Sequence, residues 1–468
     1  MAPLTDIPAR LSASKEGSWA WQTVKSRLPV ILVTVINTLH QEKDQLVEKH
    51  GPEGGCQSKA TIALLAKLRY EIMTDKPLTR LEDNLPDSKL WNSFLDELYK
   101  CEDSPRWFLT PWLYIECLMY RQIVSALHQS KLLSIFDPFA GGKKASWKNS
   151  EDAIHSVLGF LNKQTCSPPA DIENVKSLVR QFLELSLWGN KCDLSISSGQ
   201  DNSQTSNPLK QIGQLDEFLL VDDYECLWSQ LLQLREKHGG CNSVRIDIIL
   251  DNAGFELLSD LCLAEVLLTV GMASQIMFHI KSYPWFVSDT TEDDVKYCLS
   301  KLQQSDMMLE RCQGNAWAAR VNEGSFVFRK DEYWTLPHDY AAMREKCPKL
   351  YTLLSDSDLL IFKGDLNYRK LLGDREWPCE ATFDEALLAF NPAPMLSLRT
   401  LKAELCVGLE IGMMEKLTKQ DKEWMVSGKY AVIQFTDTVL PLHLPSKADS
   451  SGDSRQKVAI QSTVTVIE

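Results

Sequence analysis

No apolar run in this 468-residue chain approaches the roughly twenty residues that a membrane-spanning helix needs. Residues 28–36 come nearest and are far too short. Cys-x-x-Cys pairs are absent, and the 13 cysteines are scattered and odd in number, so reduced thiols are expected rather than a disulfide framework. The first residues, Met1 to Asp6, lack a basic segment followed by an apolar one, and no secretory leader is expected. A cytoplasmic or nuclear location follows as an expectation. Positive charge is in deficit: 50 Lys and Arg face 63 Asp and Glu, for a net charge of −13. That balance disfavours bulk binding to nucleic acid or to an anionic membrane, without excluding a local basic pocket. A phosphate loop is missing too. Phe139-Ala140-Gly141-Gly142-Lys143-Lys144 lacks the Gly-x-x-x-x-Gly-Lys-Ser/Thr spacing and reads as a connector.

What is present is a chain 44% hydrophobic, ample for one large core or two packed lobes. Helical spacing of apolar residues predicts helices over 19–49, 61–73, 90–99 and 111–128, with a break at Gly51-Pro52-Glu53-Gly54-Gly55. Helices at 153–161 and 172–187 follow. This part, 1–185, reads as an N-terminal helical lobe. In Ser186 to Ser195, Trp188 stands beside Asn190 and Asp193. The stretch reads either as a helix end closed by Gly189 or as a loop folded over a polar cleft. Residues 216–234 read as helix. From there to 443 the periodicity alternates between short apolar runs and helices, the pattern of a mostly parallel sheet covered on both faces. Residues 324–329 and 333–336 read as short strands. Ser446 to Gln456 is polar and Gly/Ser-rich, and the tail, 444–468, is expected to be disordered.

Chemistry gathers at the ends of the apolar runs. Ile246 to Leu250 reads as a buried strand ending in Asp251-Asn252-Ala253-Gly254, and Ile276 to Ile280 as another, followed by Ser288-Asp289-Thr290-Thr291. Ligands of open α/β sheets bind at the carboxyl ends of strands. Asp251, Asn252 and Asp289 offer only oxygen donors, which suits a hard divalent cation. The same stretches also read as a turn and a helix cap. A third strand, Leu359 to Phe362, leads into Lys363-Gly364-Asp365-Leu366-Asn367-Tyr368-Arg369-Lys370. A fourth, Met395 to Leu398, leads into Arg399-Thr400-Leu401-Lys402. Arg offers a planar fork for phosphate, Lys a point charge. Val432 to Phe435 reads as a last strand.

Asp251-Asn252, Asp289, Gly364 to Lys370 and the Arg399-Thr400-Leu401-Lys402 element together resemble the damage-control phosphatases, in their stand-alone eukaryotic branch. The resemblance spans nearly the whole chain apart from the tail. It implies a three-layer α/β/α domain with a helical N-terminal lobe. It also implies one divalent ion, Mn2+, Ni2+ or Co2+, on Asp251, Asn252 and Asp289. The implied activity is hydrolysis of small phosphorylated metabolites such as fructose 1-phosphate and fructose 6-phosphate. On that basis Asp251, Asp289 and Asp365 are the catalytic candidates. Asp365, Leu366, Asn367, Tyr368, Arg369, Lys370 and Lys402 are the substrate-binding candidates, with Glu256, Asn190 and Asp193 at the rim. The resemblance also carries an alternative, methyl transfer from S-adenosyl-L-methionine to glutamate side chains of a protein acceptor, tied to DNA damage. Against it, the turn after the first strand has one glycine where a nucleotide-type cofactor usually wants several. A non-catalytic binding protein is a further alternative.

Overall fold

The computed structural model describes residues 7–101, 104–197, 213–239, 243–440 and 463–464. Its centre is a single sheet. The strands are β1 (Leu219–Asp222), β2 (Arg245–Ile249), β3 (Gln275–Ile280), β4 (Phe326–Lys330), β5 (Leu359–Lys363), β6 (Met395–Thr400), β7 (Ala431–Thr436) and β8 (Thr463–Val464). Their spatial order is β1-β7-β6-β5-β2-β3-β4-β8. All pairs are parallel except β6 with β7 and β4 with β8. The inner strands are buried on both faces, as parallel strands between helical layers must be.

Side-chain alternation divides the interior into two cores. Leu359 and Ile361 of β5 enter one, Leu360 and Phe362 the other. The first core joins the helices up to residue 139 to the segments around 333–432. The second gathers residues 147–188 with the helix Phe255–Thr269, which is buried nearly all round because the helix Ile172–Ser197 covers it. Helices 151–197 therefore serve the sheet's second face rather than the N-terminal bundle. Among the described residues, no helix is long and apolar enough to cross a membrane.

Several local readings change. The expected break near Gly51 shrinks to Gly51 itself: Pro52 opens a helix running to Met73. Gly54 lies inside that helix because a Cβ there would stand 2.2 Å from the Leu46 carbonyl oxygen of the neighbouring helix. The expected helix over 216–234 is instead a 3-10 turn, the edge strand β1 and the helix Tyr224–Lys237. Four residues, three half-buried and one exposed, give too little alternation to announce an edge strand. Residues 333–336 form no strand but a 3-10 turn, nucleated by the Asp331 side chain accepting from the Tyr333 N–H at 2.9 Å. Residues 140–144 open the helix Ala140–Asn149 rather than a connector. Of the expected tail, only Thr463–Val464 lies within the described residues, paired with β4.

Gly189 neither ends a helix nor opens a loop; the helix Ile172–Ser197 runs through it. A Cβ at Gly189 would lie 3.2 Å from the Glu256 Cα and 3.3 Å from the Ser259 Oγ, so glycine lets the two helices cross closely. Gly189→Val is expected to lower stability by about 1–3 kcal/mol through overpacking, read as a shifted urea midpoint with an unchanged slope.

Candidate active site

Sheet order locates the crevice. From β2 the chain steps outward through β3 and β4, then returns to the other side of β2 for β5 and β6. The reversal opens a gap between the carboxyl ends of β2 and β5, where open α/β sheets bind ligands. Asp251 and Asn252 leave β2 there, and Gly364 opens the helix Gly364–Leu371 directly after β5. Gly364 has φ +84, and a Cβ on it would sit 1.9 Å from the Asp251 Oδ2. Only glycine lets the Asp251 carboxylate lie against this backbone.

The segment after β3 folds back over Asp251. Asn252 and Asp289 form an antiparallel bridge. The Thr290 N–H donates to the Asp251 carbonyl and the Ala253 N–H to the Ser288 carbonyl, both at 2.8 Å. Phe286 and Val287 hold φ at 43 and 71, strained values for non-glycine residues immediately before the acidic loop. Two lysines fix that loop. Lys281 donates to the Leu250 carbonyl at 2.8 Å and stands 3.3 Å from the Asp289 Oδ2. Lys143 donates to the Asp289 carbonyl at 3.1 Å, to Asp294 at 2.7 Å and to Asp137 at 3.2 Å. Asp294 also closes a capping box with Thr291, which starts the helix Glu292–Gln303.

Negative charge is concentrated here under burial. Desolvation, then the charges of Glu256 and Asp289, push the Asp251 carboxyl well above its ordinary range. Desolvation raises Asp289 to about 6 against the pull of Lys281. Its Oδ2 has no aligned hydrogen-bond donor among the described residues. The Asn252 amide nitrogen donates to the Asp251 Oδ2 and the Glu256 Oε2, each at 2.8 Å, while its oxygen accepts from the Ser288 hydroxyl at 2.5 Å. A hydroxyl can also donate to or accept from the other end of the amide, so Ser288 can support either orientation. Two crowded carboxylates and an adjacent amide are a hard-cation donor set. Among the described residues, no three His, Cys, Asp or Glu side chains converge on a metal-sized centre. The fit therefore rests on Asp251 and Asp289 with the Asn252 amide, and Glu256 is held beside Asn252 by its hydrogen bond.

The remaining expected residues divide. Asp365 accepts from the Arg399 Nε at 2.8 Å and the Lys402 N–H at 3.0 Å, and the Arg399 charge keeps it ionised, below its ordinary range. Arg399 also donates to the Leu405 and Ala403 carbonyls and so shapes the turn that carries Lys402. Lys402 is exposed, and its charge is felt by Asp251. Arg369 and Lys370, expected as phosphate ligands, point their charges elsewhere. Arg369 is saturated by Asp374 and by Glu116 at 2.6 Å, with its guanidinium over the Trp112 ring. Lys370 donates to the Trp334 and Leu336 carbonyls, and burial lowers it to about 8. The Asn367 amide bonds the Lys363 carbonyl and the Tyr340 hydroxyl, and Tyr368 bonds Gln434. Leu366 is buried. The side chains of Asn190 and Asp193 lie outside the described residues. Lys281 is not signalled by the motifs, Lys143 stands in the stretch read as a connector, and Lys363 heads the stretch after the third strand without a role of its own. A lysine immediately after a buried strand, as at 281, was the available signal.

A carboxyl whose folded-state pKa is raised keeps a proton that the unfolded chain releases. Stability is then lost as pH climbs from about 4 through the folded value. Asp251→Asn is therefore expected to stabilise the metal-free protein at pH 7 by at least about 1 kcal/mol. The gain should shrink toward zero as pH approaches about 4. Urea titrations in a chelator at the two pH values measure it.

A family model for the damage-control phosphatase ARMT1-like domain matches residues 23–417. The chain is 45% identical to Damage-control phosphatase ARMT1 of Danio rerio, covering 92% of this chain and 97% of that one. Identity is 44% to the Xenopus laevis protein of that name (93% and 100% covered) and 41% to the Homo sapiens protein (92% and 98% covered). With that extent of match and the Asp251–Asp289 crevice at the sheet's reversal point, the chain belongs to the damage-control phosphatase ARMT1-like family.

Proposed function

We propose that this protein hydrolyses the phosphate monoesters of small sugars, fructose 1-phosphate and fructose 6-phosphate being the expected class. It would do so with one divalent ion, Mn2+, Ni2+ or Co2+, on Asp251, Asn252 and Asp289. The observation that carries this reading is the buried carboxylate pair at the crevice, raised toward protonation, with the exposed Lys402 beside it. A bound divalent ion supplies charge neutralisation for phosphoryl oxygens and a more acidic water. The chain's residues supply position, the main requirement of phosphoryl transfer. Lys402 meets phosphoryl charge directly. The first-turn N–H groups of Gly364, Asp365 and Leu366 have no acceptor within their own helix and offer further donors. The Asp365 Oδ1 is engaged by Arg399 and the Lys402 N–H, which leaves Oδ2 to accept from a sugar hydroxyl. Arg369, Lys370, Asn367 and Tyr368 act behind the site by fixing this loop.

Methyl transfer from S-adenosyl-L-methionine is the lesser reading. The turn after β2 has one glycine where a nucleotide-type cofactor usually wants several, and its oxygen donors suit a hard cation. Stoichiometric S-adenosyl-L-methionine binding by calorimetry would reverse that ranking.

A screen of Mn2+, Co2+ and Ni2+ against sugar phosphates is expected to release phosphate from the fructose esters. Asp251→Ala should abolish both turnover and metal retention; full activity of that variant in chelator refutes the reading. Lys402→Gln is expected to lower kcat/KM by about a hundredfold with metal content intact, the scale of a lost charge contact to phosphate in the transition state.

A further inference from the structure

Glu256 is a third acidic group beside the proposed ion, one hydrogen bond from Asn252. A carboxylate that close would ordinarily be drawn to a divalent cation. Its other oxygen, Oε1, lies 3.4 Å from the Lys363 Nζ. Lys363 is the last residue of β5 and is 1% exposed. Its ammonium also contacts the Asp260 Oδ1 at 2.9 Å and donates to the Ser186 carbonyl. Asp260 is held in turn by the Ser186 hydroxyl at 2.6 Å. Lys363 is thus anchored on the helix Ile172–Ser197 and on Asp260, one turn beyond Glu256 on the same face of the helix Phe255–Thr269. Among the described residues, no three His, Cys, Asp or Glu side chains converge on a metal-sized centre.

We propose that Lys363 is a positioning residue that tethers Glu256 away from the ion, so that a coordination position stays open for water or a phosphoryl oxygen. Catalytic metal sites need such an open position, and an extra carboxylate would close it. The inference rests on the metal-site reading above. Without Lys363, Glu256 is a buried anion with one remaining partner, the Asn252 amide, and turns toward the nearest positive charge.

The test is Mn2+ uptake by the full-length protein, measured by equilibrium dialysis with elemental analysis, beside kcat on fructose 1-phosphate. Lys363→Met is expected to bind Mn2+ at least about threefold more tightly while kcat falls at least about tenfold, because an added carboxylate strengthens the site and blocks it. Lys363→Arg should keep both values near those of the unaltered protein. Adding Glu256→Gln to Lys363→Met should return the Mn2+ affinity to its original range. A merely structural lysine would lower affinity and activity together. If Lys363→Met fails to fold, Glu256→Gln alone decides. The tether predicts an affinity loss under about fivefold, the effect of one nearby charge; loss of bound Mn2+ makes Glu256 a ligand and overturns it. Normal uptake by the unaltered protein with unchanged or weaker affinity in Lys363→Met overturns this inference alone. No Mn2+ uptake by the unaltered protein overturns the metal reading and this inference with it.

Discussion

Two carboxylates that cannot comfortably ionise together govern the centre of this protein. Asp251 and Asp289 are almost fully buried and drawn side by side by backbone bonds. Their mutual repulsion disfavours the arrangement unless positive charge enters. The chain supplies part of that charge. Lys281 faces Asp289 directly, Lys143 grips the loop from behind, and Lys363 balances the acidic groups one turn further into the helix. Each of these lysines also donates to a backbone carbonyl, so it is fixed by geometry as well as by charge. The result is a crevice whose walls are tied down by ion pairs and backbone carbonyl contacts together.

Rigidity explains why a motif rich in cations need not place them all on the substrate. After β5, the helix Gly364–Leu371 carries Arg369 and Lys370 on its buried side. Arg369 ties the helix to Glu116 of the N-terminal bundle, and Lys370 ties it to the turn at Trp334 and Leu336. Breaking a buried pair of this kind leaves an uncompensated charge and costs several kcal/mol, roughly 3–5. These residues hold the helix so that Gly364 can lie against Asp251. Their contribution is the placement of that backbone.

The sequence carried the sheet's interior clearly. Ile246 to Leu250, Ile276 to Ile280 and Leu359 to Phe362 are short, apolar and bounded by turn residues, and they became β2, β3 and β5. It carried the crevice as well, because Asp251, Asp289 and Gly364 each stand just past such a run. It failed where long-range contacts decide. Gly189 and Gly54 read as breakers, yet each allows a neighbouring helix to approach. β1 is an edge strand of four residues whose pairing with β7 no local pattern could announce. The direction in which Arg369 points depends on Glu116, 253 positions away. A charged side chain's type is legible in sequence, but the partner that satisfies it is not.

That difference separates two kinds of cation at the crevice. Arg369, Lys370 and Lys363 are buried and hold acceptors within the fold, so their charge is committed before any ligand arrives. Lys402 is exposed, on a turn that Arg399 and Asp365 hold through the backbone rather than through its ammonium. A charge held by its backbone and, among the described residues, unpaired at its tip would lose only solvent when phosphate binds, whereas a buried, paired lysine must first abandon a partner. Under the phosphatase reading we propose, phosphate recognition would therefore fall to Lys402 and to backbone N–H groups, with the buried cations keeping those donors in place.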